Sequence, residues 1–301
     1  MEVNKIIIGD ALAGLKQLSD ESIQCCITSP PYWGHRDYGV IGQYGQETTP
    51  QAYVQKLVAV FKQIKRVLKS DGTAWLNLGD AYKVIPTPKS GKKSNLKVKD
   101  LVGIPWMVAF ALRKSGWYLR QDIIWHKPNP MPEKASDRCS KGHEYIFLLS
   151  KSKKYFFDAK IIREPAAYDG RKALCSKGSP KYLNANIPFS GKAHPRWQSN
   201  SAGEFVRNKK SVWTIPLRPY KGAHCATYPV QLPTLCLLAG SREGDIILDP
   251  FMGSGTTAIA AIAYNRHYIG FELNPEYAKI AEKRIAEQSG LFHLAKEANH
   301  V

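Results

Sequence analysis

The chain has 301 residues, 44% of them hydrophobic, and a formal net charge of +18. This length and apolar content suit one compact α/β catalytic domain with a modest insertion, and they require no separate regulatory domain. The charge predicts a polyanionic partner, with nucleic acid ahead of an acidic membrane surface. The sequence has no run of about 18 apolar residues and no signal pattern. We therefore expect no membrane partner. The six cysteines include no Cys-x-x-Cys pair and are typical of reduced cysteines, so we expect a cytoplasmic location.

Apolar segments alternate between strand and helix character along the first half of the chain. Strands are predicted at Lys5 to Ile8 and at Ile23 to Thr28, with a short helix from near Asp10 between them. A longer helix is predicted over Pro50 to Leu68, closed by Asp71-Gly72. The other elements predicted in this half are a strand over Thr73 to Leu78, a helix over Pro105 to Ser115, and strands over Tyr118 to Trp125 and His143 to Ser150. This alternation predicts a doubly wound, largely parallel sheet with helices on both faces.

The segment Ser29-Pro30-Pro31-Tyr32 directly follows the second predicted strand. Both prolines lack a backbone N–H and lock φ at about −65°, so the loop presents the Pro30 carbonyl, the Ser29 hydroxyl and the Tyr32 ring together. That set suits an exocyclic amine on a flat base, because two amine hydrogens need two acceptors and the ring needs a face on which to stack. The alternative interpretation is a turn that ends the strand.

A second site is predicted where the strand Ile246 to Asp249 continues through a glycine turn into an alanine-rich helix. Gly253 and Gly255 permit a tight turn with close backbone approach to a ligand. Glu272 ends the following strand, where it is placed to accept from ribose hydroxyls. The pattern therefore favours a nucleotide-like cofactor. A phosphate-binding P-loop is less favoured because no lysine follows the glycines, and a nicotinamide-dependent oxidoreductase is suggested by the glycine spacing alone.

Two basic segments interrupt the alternation of strands and helices. Residues 83–99 carry six lysines and no acid, and residues 163–222 carry twelve Lys or Arg with interleaved aromatic side chains. The first segment is interpreted either as a solvated linker or as a clamp on DNA phosphates. The residues predicted to contact DNA are Trp33, Lys92, Lys93, Arg196, Trp197, Arg207, Lys209 and Lys210.

Together these elements resemble the DNA amino-methyltransferases, in the arrangement that places the Ser-Pro-Pro-Tyr block before the Phe-x-Gly-x-Gly block. The other ordered matches are Ile8-Gly9-Asp10, Trp75 to Asp80, His143 to Phe147 and His224 to Pro229. The resemblance implies a Rossmann-like methyltransferase fold with a circularly rearranged order. It places a catalytic part at 1–162, which includes the basic loop 83–99, a target-recognition insertion at 163–222, and a cofactor-binding part at 223–301.

The resemblance also implies S-adenosylmethionine as methyl donor and double-stranded DNA as partner, and it is compatible with a restriction endonuclease as counterpart. The target base would be flipped out of the duplex, stacked on Tyr32 and held by Ser29 and the Pro30 carbonyl. The cofactor-binding residues that it implies are Asp10, Asp249, Phe251, Gly253, Gly255 and Glu272. Asp10 is expected at the adenine amine and Asp249 as the residue that orders the glycine loop. The alternatives are that Asp10 caps the helix after it and that Glu272 is a first-turn acid of the final helix.

The sequence favours nitrogen over carbon as the methylated atom. Methylation at carbon 5 of cytosine requires a cysteine nucleophile, normally in a Pro-Cys pair, and none of the cysteines follows a proline. Serine at the first position of the block is typical of cytosine-N4 enzymes of the family, whereas Asp or Asn usually marks adenine-N6 enzymes. Hydrogen bonding alone leaves adenine open, because a serine hydroxyl can accept from the amine or donate to the neighbouring ring nitrogen. We therefore predict N4 of cytosine, with N6 of adenine as the alternative and an inactive DNA-binding protein as a third.

No catalytic metal is predicted. His143-Glu144 begins like a zinc-binding His-Glu-x-x-His helix, but residue 147 is Phe, so the second histidine ligand is missing. His224 and Cys225 have no partner pair at the spacing that metal ligands need.

Overall fold

The computed structural model describes residues 2–83, 96–165, 198–199, 205–217 and 228–298. Two compact units divide the chain, one formed by Met1–Asp158 with Ser211–Val301 and the other by Ala159–Lys210. The helices in the described ranges are α1 Ala11–Gln17, α2 Pro50–Val67, α3 Ile104–Lys114, α4 Gln231–Gly240, α5 Thr256–Ala263 and α6 Pro275–Ala298. The strands there are β1 Lys5–Ile8, β2 Ile23–Thr28, β3 Leu68–Leu78, β4 Tyr118–His126, β5 His143–Ser150, β6 Glu164–Pro165, β7 Gln198–Ser199, β8 Phe205–Arg207, β9 Val212–Thr214, β10 Ile246–Asp249 and β11 His267–Glu272.

The first unit is built on a sheet that has eight strands within the described residues, in the order β1-β11-β10-β2-β3-β5-β4-β9. The strands from β1 to β3 in this order are parallel to their neighbours, and β9 is parallel to β4. β5 is antiparallel to both β3 and β4. This arrangement confirms the predicted α/β fold with a largely parallel sheet.

The strand order brings the two predicted motifs to one edge of the sheet. β10 lies between β2 and β11, where Leu248 is opposite both Cys26 and Ile269. The carboxyl ends of parallel strands meet at the same edge, and ligands bind in the crevice outside that edge. The residues that follow β1 and β2 are therefore neighbours of those that follow β10 and β11, although more than 200 positions separate the two pairs in the sequence.

The amphipathic helix α2 anchors the Ser29 to Tyr32 loop that follows β2. Thr49 caps its first turn by accepting from Ala52 N at 3.1 Å, and Pro50 occupies a first-turn position. Its apolar face is fully buried, and each such side chain contributes about 1.5–3 kcal/mol of burial free energy. The Tyr53 hydroxyl on that face donates to Pro31 O at 2.9 Å, which fixes the Pro-Pro turn to the core. No helix in the described ranges combines the length and the apolar character needed to span a membrane.

The boundary between α2 and β3 differs from the prediction. The helix ends at Val67, because Leu68 already has an extended backbone with ψ of 141°. β3 begins at that residue, so Asp71-Gly72 lies inside a strand and not in a turn that closes the helix. The register of β2 and β3 shifts between Ile23 and Cys25, which accommodates this irregular first part of the strand.

In the second unit, β6, β8 and β7 form a small antiparallel sheet. Arg207 Nε lies 3.0 Å and Lys209 Nζ 3.6 Å from carboxylate oxygens of Glu164. The predicted insertion 163–222 overlaps this unit, but β9 pairs with β4 of the large sheet, so Ser211 onward belongs to the first unit. Four predicted DNA contacts lie outside the described residues: Lys92, Lys93, Arg196 and Trp197.

Candidate active site

A cavity of about 400 Å³ opens at the edge of the sheet where β1, β2, β10 and β11 end. Its lining includes residues from both predicted motifs: Asp10, Ser29, Pro30, Pro31, Tyr32, Phe251, Gly253 and Glu272. The fold therefore joins the Ser-Pro-Pro-Tyr block and the glycine loop in one site. Asp249, Gly255 and Trp33 belong to the same region without lining the cavity.

Asp249 is buried behind the glycine loop. Its Oδ1 accepts from the Thr28 hydroxyl at 2.7 Å and from Phe251 N at 3.1 Å. Its Oδ2 accepts from the Thr257 hydroxyl at 2.5 Å and from the Tyr228 hydroxyl at 3.2 Å. Burial raises the pKa of this carboxyl group, although the donors act in the opposite direction. Asp249 therefore connects β2, the glycine loop and α5. It does not line the cavity, but it holds in place the loop that does.

The glycine loop itself has the backbone that its sequence requires. Gly253 and Gly255 have φ values of 53° and 79°, in the left-handed region that favours glycine. A Cβ at Gly255 would come within 3.0 Å of Ile285 Cδ1, so the lack of a side chain also lets α6 approach. Phe251, at the start of the loop, packs edge-on against Tyr44 with ring centroids 5.1 Å apart.

Glu272 is the last residue of β11, and its carboxylate holds the glycine loop in place. Oε2 accepts from Gly253 N at 2.8 Å and Oε1 accepts from Asn274 N at 2.9 Å. Burial raises its pKa. Each oxygen keeps a further lone pair that can accept from a ligand hydroxyl. Pro275 opens α6 and Asn274 accepts from Glu276 N at 2.9 Å, so Glu272 lies ahead of the helix and is not one of its first-turn acids.

The position of Asp10 is compatible with both predicted roles, which are capping α1 and binding the cofactor. Its Oδ1 accepts from Ala13 N at 2.8 Å, which caps α1. The same residue lines the cavity. Capping engages one carboxylate oxygen, so it is compatible with ligand contact.

A hydrogen-bond network connects the Ser29 to Tyr32 loop with β3 and β5, and its members all line the cavity: Ser29, Tyr32, Asn77, Lys127 and Glu144. The Tyr32 hydroxyl donates to Glu144 Oε2 at 2.7 Å, and it lies 3.1 Å from Asn77 Oδ1. Ser29 Oγ lies 3.1 Å from the same Asn77 oxygen and 3.3 Å from the Tyr32 hydroxyl. Glu144 forms an ion pair with Lys127, and these two side chains are 14% and 15% exposed. Burial, and then the charge of Glu144, raises the pKa of Tyr32 well above its usual value.

Sequence reasoning did not assign a role to Asn77, Lys127 or Glu144. Asn77 and Glu144 lie inside two of the matched blocks, Trp75 to Asp80 and His143 to Phe147, and this is the signal in the sequence that could identify them. Lys127 follows β4, and the antiparallel pairing of β4 with β5 brings it to Glu144. That pairing joins segments with a loop between them, so it could not be predicted from the local pattern.

Trp33, which is predicted to contact DNA, does not line the cavity. Its indole N–H donates to Glu47 O at 2.8 Å, and its ring packs against the hydrophobic core. An indole that is partly buried and hydrogen-bonded in this way holds the segment after the catalytic loop.

The described residues contain no group of three or more His, Cys, Asp or Glu side chains arranged to hold a metal ion. His143 and Glu144 begin β5, which is a strand, so they do not share the helical face that a zinc-binding pair requires.

Comparison with known proteins identifies the class. The model of the DNA methylase family matches residues 23–283. The type II methyltransferase M.SmaI of Serratia marcescens is 42% identical over 93% of this chain and 90% of its own. The PvuII DNA methyltransferase, described as cytosine-N4-specific, superposes with a TM-score of 0.65 at 20% identity, over 97% of this chain and 96% of its own. TTHA0409 of Thermus thermophilus, solved with S-adenosyl-L-methionine, superposes with a TM-score of 0.62 at 24% identity, over 95% of each chain.

The chain therefore belongs to the DNA methylase family, the amino-methyltransferases that act on N4 of cytosine or N6 of adenine. It is an S-adenosylmethionine-dependent DNA methyltransferase, which agrees with the glycine loop, the Ser-Pro-Pro-Tyr loop and the cavity that they share.

Proposed function

We propose that this enzyme methylates the N4 amine of cytosine in duplex DNA, with the target base turned out of the helix and into the cavity. The observation that carries the choice of base is Ser29 at the first position of the catalytic block, where family members that act on adenine usually have Asp or Asn. Ser29 lines the cavity beside Pro30, so one hydroxyl oxygen and one carbonyl oxygen can accept the two hydrogens of an amine. N6 of adenine is the second candidate.

The residues of the glycine loop fit S-adenosylmethionine. Gly253 presents backbone without a Cβ, and the pinned carboxylate of Glu272 would accept from the ribose hydroxyls. Asp10 would accept from the adenine amine, and Phe251 supplies an apolar wall. When bound, this cofactor supplies an electrophilic methyl group on a sulfonium, so the reaction requires neither a metal ion nor a covalent enzyme intermediate.

The catalytic loop contributes orientation. Two acceptors at fixed positions draw the N–H bonds of the amine toward Ser29 and Pro30, which directs the nitrogen lone pair away from the loop. The Tyr32 ring gives the flipped base a surface on which to stack. The pinned position of Pro31, through the Tyr53 hydroxyl, keeps this arrangement stiff before the base arrives. Transfer would form a bond between the amine nitrogen and the methyl carbon and break the bond from that carbon to sulfur, so S-adenosylhomocysteine would leave and the nitrogen would release one of its protons to water.

Mass spectrometry of nucleosides tests the choice of base. Duplex DNA of diverse sequence is incubated with the protein, S-adenosylmethionine and EDTA, and is then digested. N4-methylcytosine supports the proposal, and it shows in addition that no metal ion is needed. If the product is N6-methyladenine, the target base is adenine and the cytosine assignment is wrong. If neither product forms, the proposed activity is contradicted.

Substitutions test the loop. We expect Ser29→Ala and Tyr32→Ala each to lower kcat about 100-fold, the size of loss seen when one preorganised polar group is removed from a catalytic site. The Kd for S-adenosylmethionine should stay within about threefold, because neither side chain belongs to the glycine loop. Ser70→Ala and Tyr118→Ala are matched controls at exposed positions in β3 and β4. Full activity of both loop variants would contradict the assignment.

The proposal also covers the choice of sequence. We assign target recognition to the segment 163–222 and expect a restriction endonuclease that cuts the same unmethylated sequence as counterpart, since relatives such as M.SmaI are type II methyltransferases. Arg207→Gln should lower or broaden the preference of the enzyme for its target sequence, as measured by sequencing the methylated positions. Lys62→Gln, at an exposed position of α2, should leave that sequence unchanged.

A further inference from the structure

The donors and acceptors of the hydrogen-bond network around Ser29 can be assigned in order, starting from Glu144. Lys127 pairs with Glu144 Oε1 in a largely buried setting, and a carboxylate held by an ammonium group has no proton to donate. The other oxygen, Oε2, lies 2.7 Å from the Tyr32 hydroxyl. Tyr32 has a single proton, and its shortest contact is with this charged acceptor. The Tyr32 proton therefore points to Glu144.

The orientation of the Asn77 amide follows from its neighbours. Nδ2 lies 3.1 Å from Glu144 Oε2 and 3.1 Å from Tyr145 O, so it donates one hydrogen to each. If the amide were turned over, Oδ1 would face a carboxylate and a carbonyl, neither of which has a hydrogen to offer. The Asn77 oxygen must therefore face Ser29.

The direction of the Ser29 hydroxyl is then set. The Tyr32 proton is committed to Glu144, which leaves the Ser29 hydroxyl as the donor for Asn77 Oδ1 at 3.1 Å. The other contact of Ser29 in the network, the Tyr32 oxygen at 3.3 Å, also accepts. Either way the Ser29 hydrogen is used within the network, and the lone pairs of its oxygen remain available to accept from a ligand in the cavity that Ser29 lines.

We propose that Asn77, held by the Glu144–Lys127 ion pair, is a positioning residue that fixes the Ser29 hydroxyl as a hydrogen-bond acceptor toward the base. The inference rests on the proposed function, because it concerns how Ser29 meets the target amine. Ser29 and the Pro30 carbonyl then both accept, so the site receives an amino base and opposes a keto base, whose oxygen would face two acceptors without a hydrogen between them. Ser29 is thereby excluded as the donor to the ring nitrogen of the base.

Neutron diffraction on crystals of the deuterated protein tests the direction without any turnover. The deuteron on Ser29 Oγ should point to Asn77 Oδ1 or to the Tyr32 oxygen, and the Asn77 amide deuterons should point to Glu144 and Tyr145. A Ser29 deuteron directed into the cavity would overturn the inference. This result stands whether or not the protein proves to methylate cytosine, so the two proposals fail separately.

A double-mutant cycle tests the effect on catalysis. Asn77→Leu removes the acceptor and keeps the number and branching of the side-chain heavy atoms, and we expect kcat to fall about 10- to 100-fold with the Kd for S-adenosylmethionine unchanged. In a Ser29→Ala background the same substitution should lower kcat by less than about threefold, because Asn77 acts through Ser29. Equal losses in both backgrounds would show a merely structural role and contradict the proposal. If Asn77→Leu fails to fold, the neutron experiment on the unaltered protein still decides.

Discussion

The carboxylate of Glu272 connects the glycine loop to the start of α6. We therefore expect a substitution of Glu272 to weaken the binding of S-adenosylmethionine. Glu272→Gln leaves a single side-chain oxygen, so either Gly253 N or Asn274 N loses its acceptor. We expect the Kd for S-adenosylmethionine, measured by calorimetry, to rise about tenfold, which corresponds to one lost hydrogen bond to a charged group. Glu276→Gln, in the exposed first turn of α6, is the control. An unchanged Kd for Glu272→Gln would remove Glu272 from the site.

Buried thiols next to the catalytic loop should be inert. Cys25 and Cys26 are fully buried in β2, and burial raises the pKa of Cys25 to about 12 and that of Cys26 well above its usual value. Because the thiolate is the reactive form, alkylation at pH 8 should label the exposed Cys139 and leave Cys25, Cys26 and Cys236 unlabelled until the protein unfolds. Peptide mass mapping measures this. Labelling of Cys25 as fast as Cys139 would contradict the burial described here.

The residues that the sequence identified are those whose role depends on their immediate neighbours in the chain. Pro30 and Pro31 restrict their own backbone, and Gly253 permits its own positive φ, so local chemistry was sufficient. Asn77 and Glu144 act through contacts between strands, and their partners could be known only after the sheet was assembled. Asn77 was thus visible as part of a matched block and not as the partner of Ser29.

At the scale of single elements, the end of β3 sets the position of the Tyr32 ring. Gly79 follows that strand, and a Cβ there would come within 2.6 Å of Tyr32 Cε2. Gly79→Ala should therefore displace the ring and lower kcat for methyl transfer about tenfold or more, since small misplacements of catalytic groups are costly. Gly142→Ala is the control, because its nearest contact would be Lys127 O at an ordinary 3.9 Å. Steady-state kinetics of both variants decide, and wild-type kcat in Gly79→Ala would contradict the prediction.

Long periodic elements were predictable, and a short one was not. The helical spacing of Tyr53, Leu57 and Ile64 identified α2 and its buried face. β9 has three residues inside a basic segment, too few to show a period. Trp213 is one of the aromatic residues interleaved with the charges of segment 163–222, yet it is buried in β9, with its ring centroid 6.2 Å from that of Trp75. The burial of Trp213 therefore depends on packing between segments that are distant in the sequence, and composition alone could not predict it.

For the whole molecule, the charge of +18 should make DNA binding strongly dependent on salt. Each phosphate contact contributes a slope of about −0.9 to log K against log salt, so about six contacts would weaken binding roughly 1,000-fold between about 50 and 200 mM salt. Fluorescence anisotropy with a labelled duplex measures this dependence. The Kd for S-adenosylmethionine over the same range is the control and should change less than about threefold. A Kd for DNA that stays constant would exclude a phosphate-based contact surface.

The sheet order also fixes when the enzyme becomes competent during its synthesis. β1 is the edge strand of the described sheet, and its neighbour is β11, where Lys5 pairs with Ile269. A nascent chain therefore carries the Ser29 to Tyr32 loop from early on, but β1 has no β11 neighbour until residues 267–272 have been made. β10, which lies between β2 and β11 in the sheet, is also made late, because it spans residues 246–249. A chain that stops before β10 would lack the glycine loop and Glu272, so we expect such a fragment to bind no S-adenosylmethionine and to methylate no DNA.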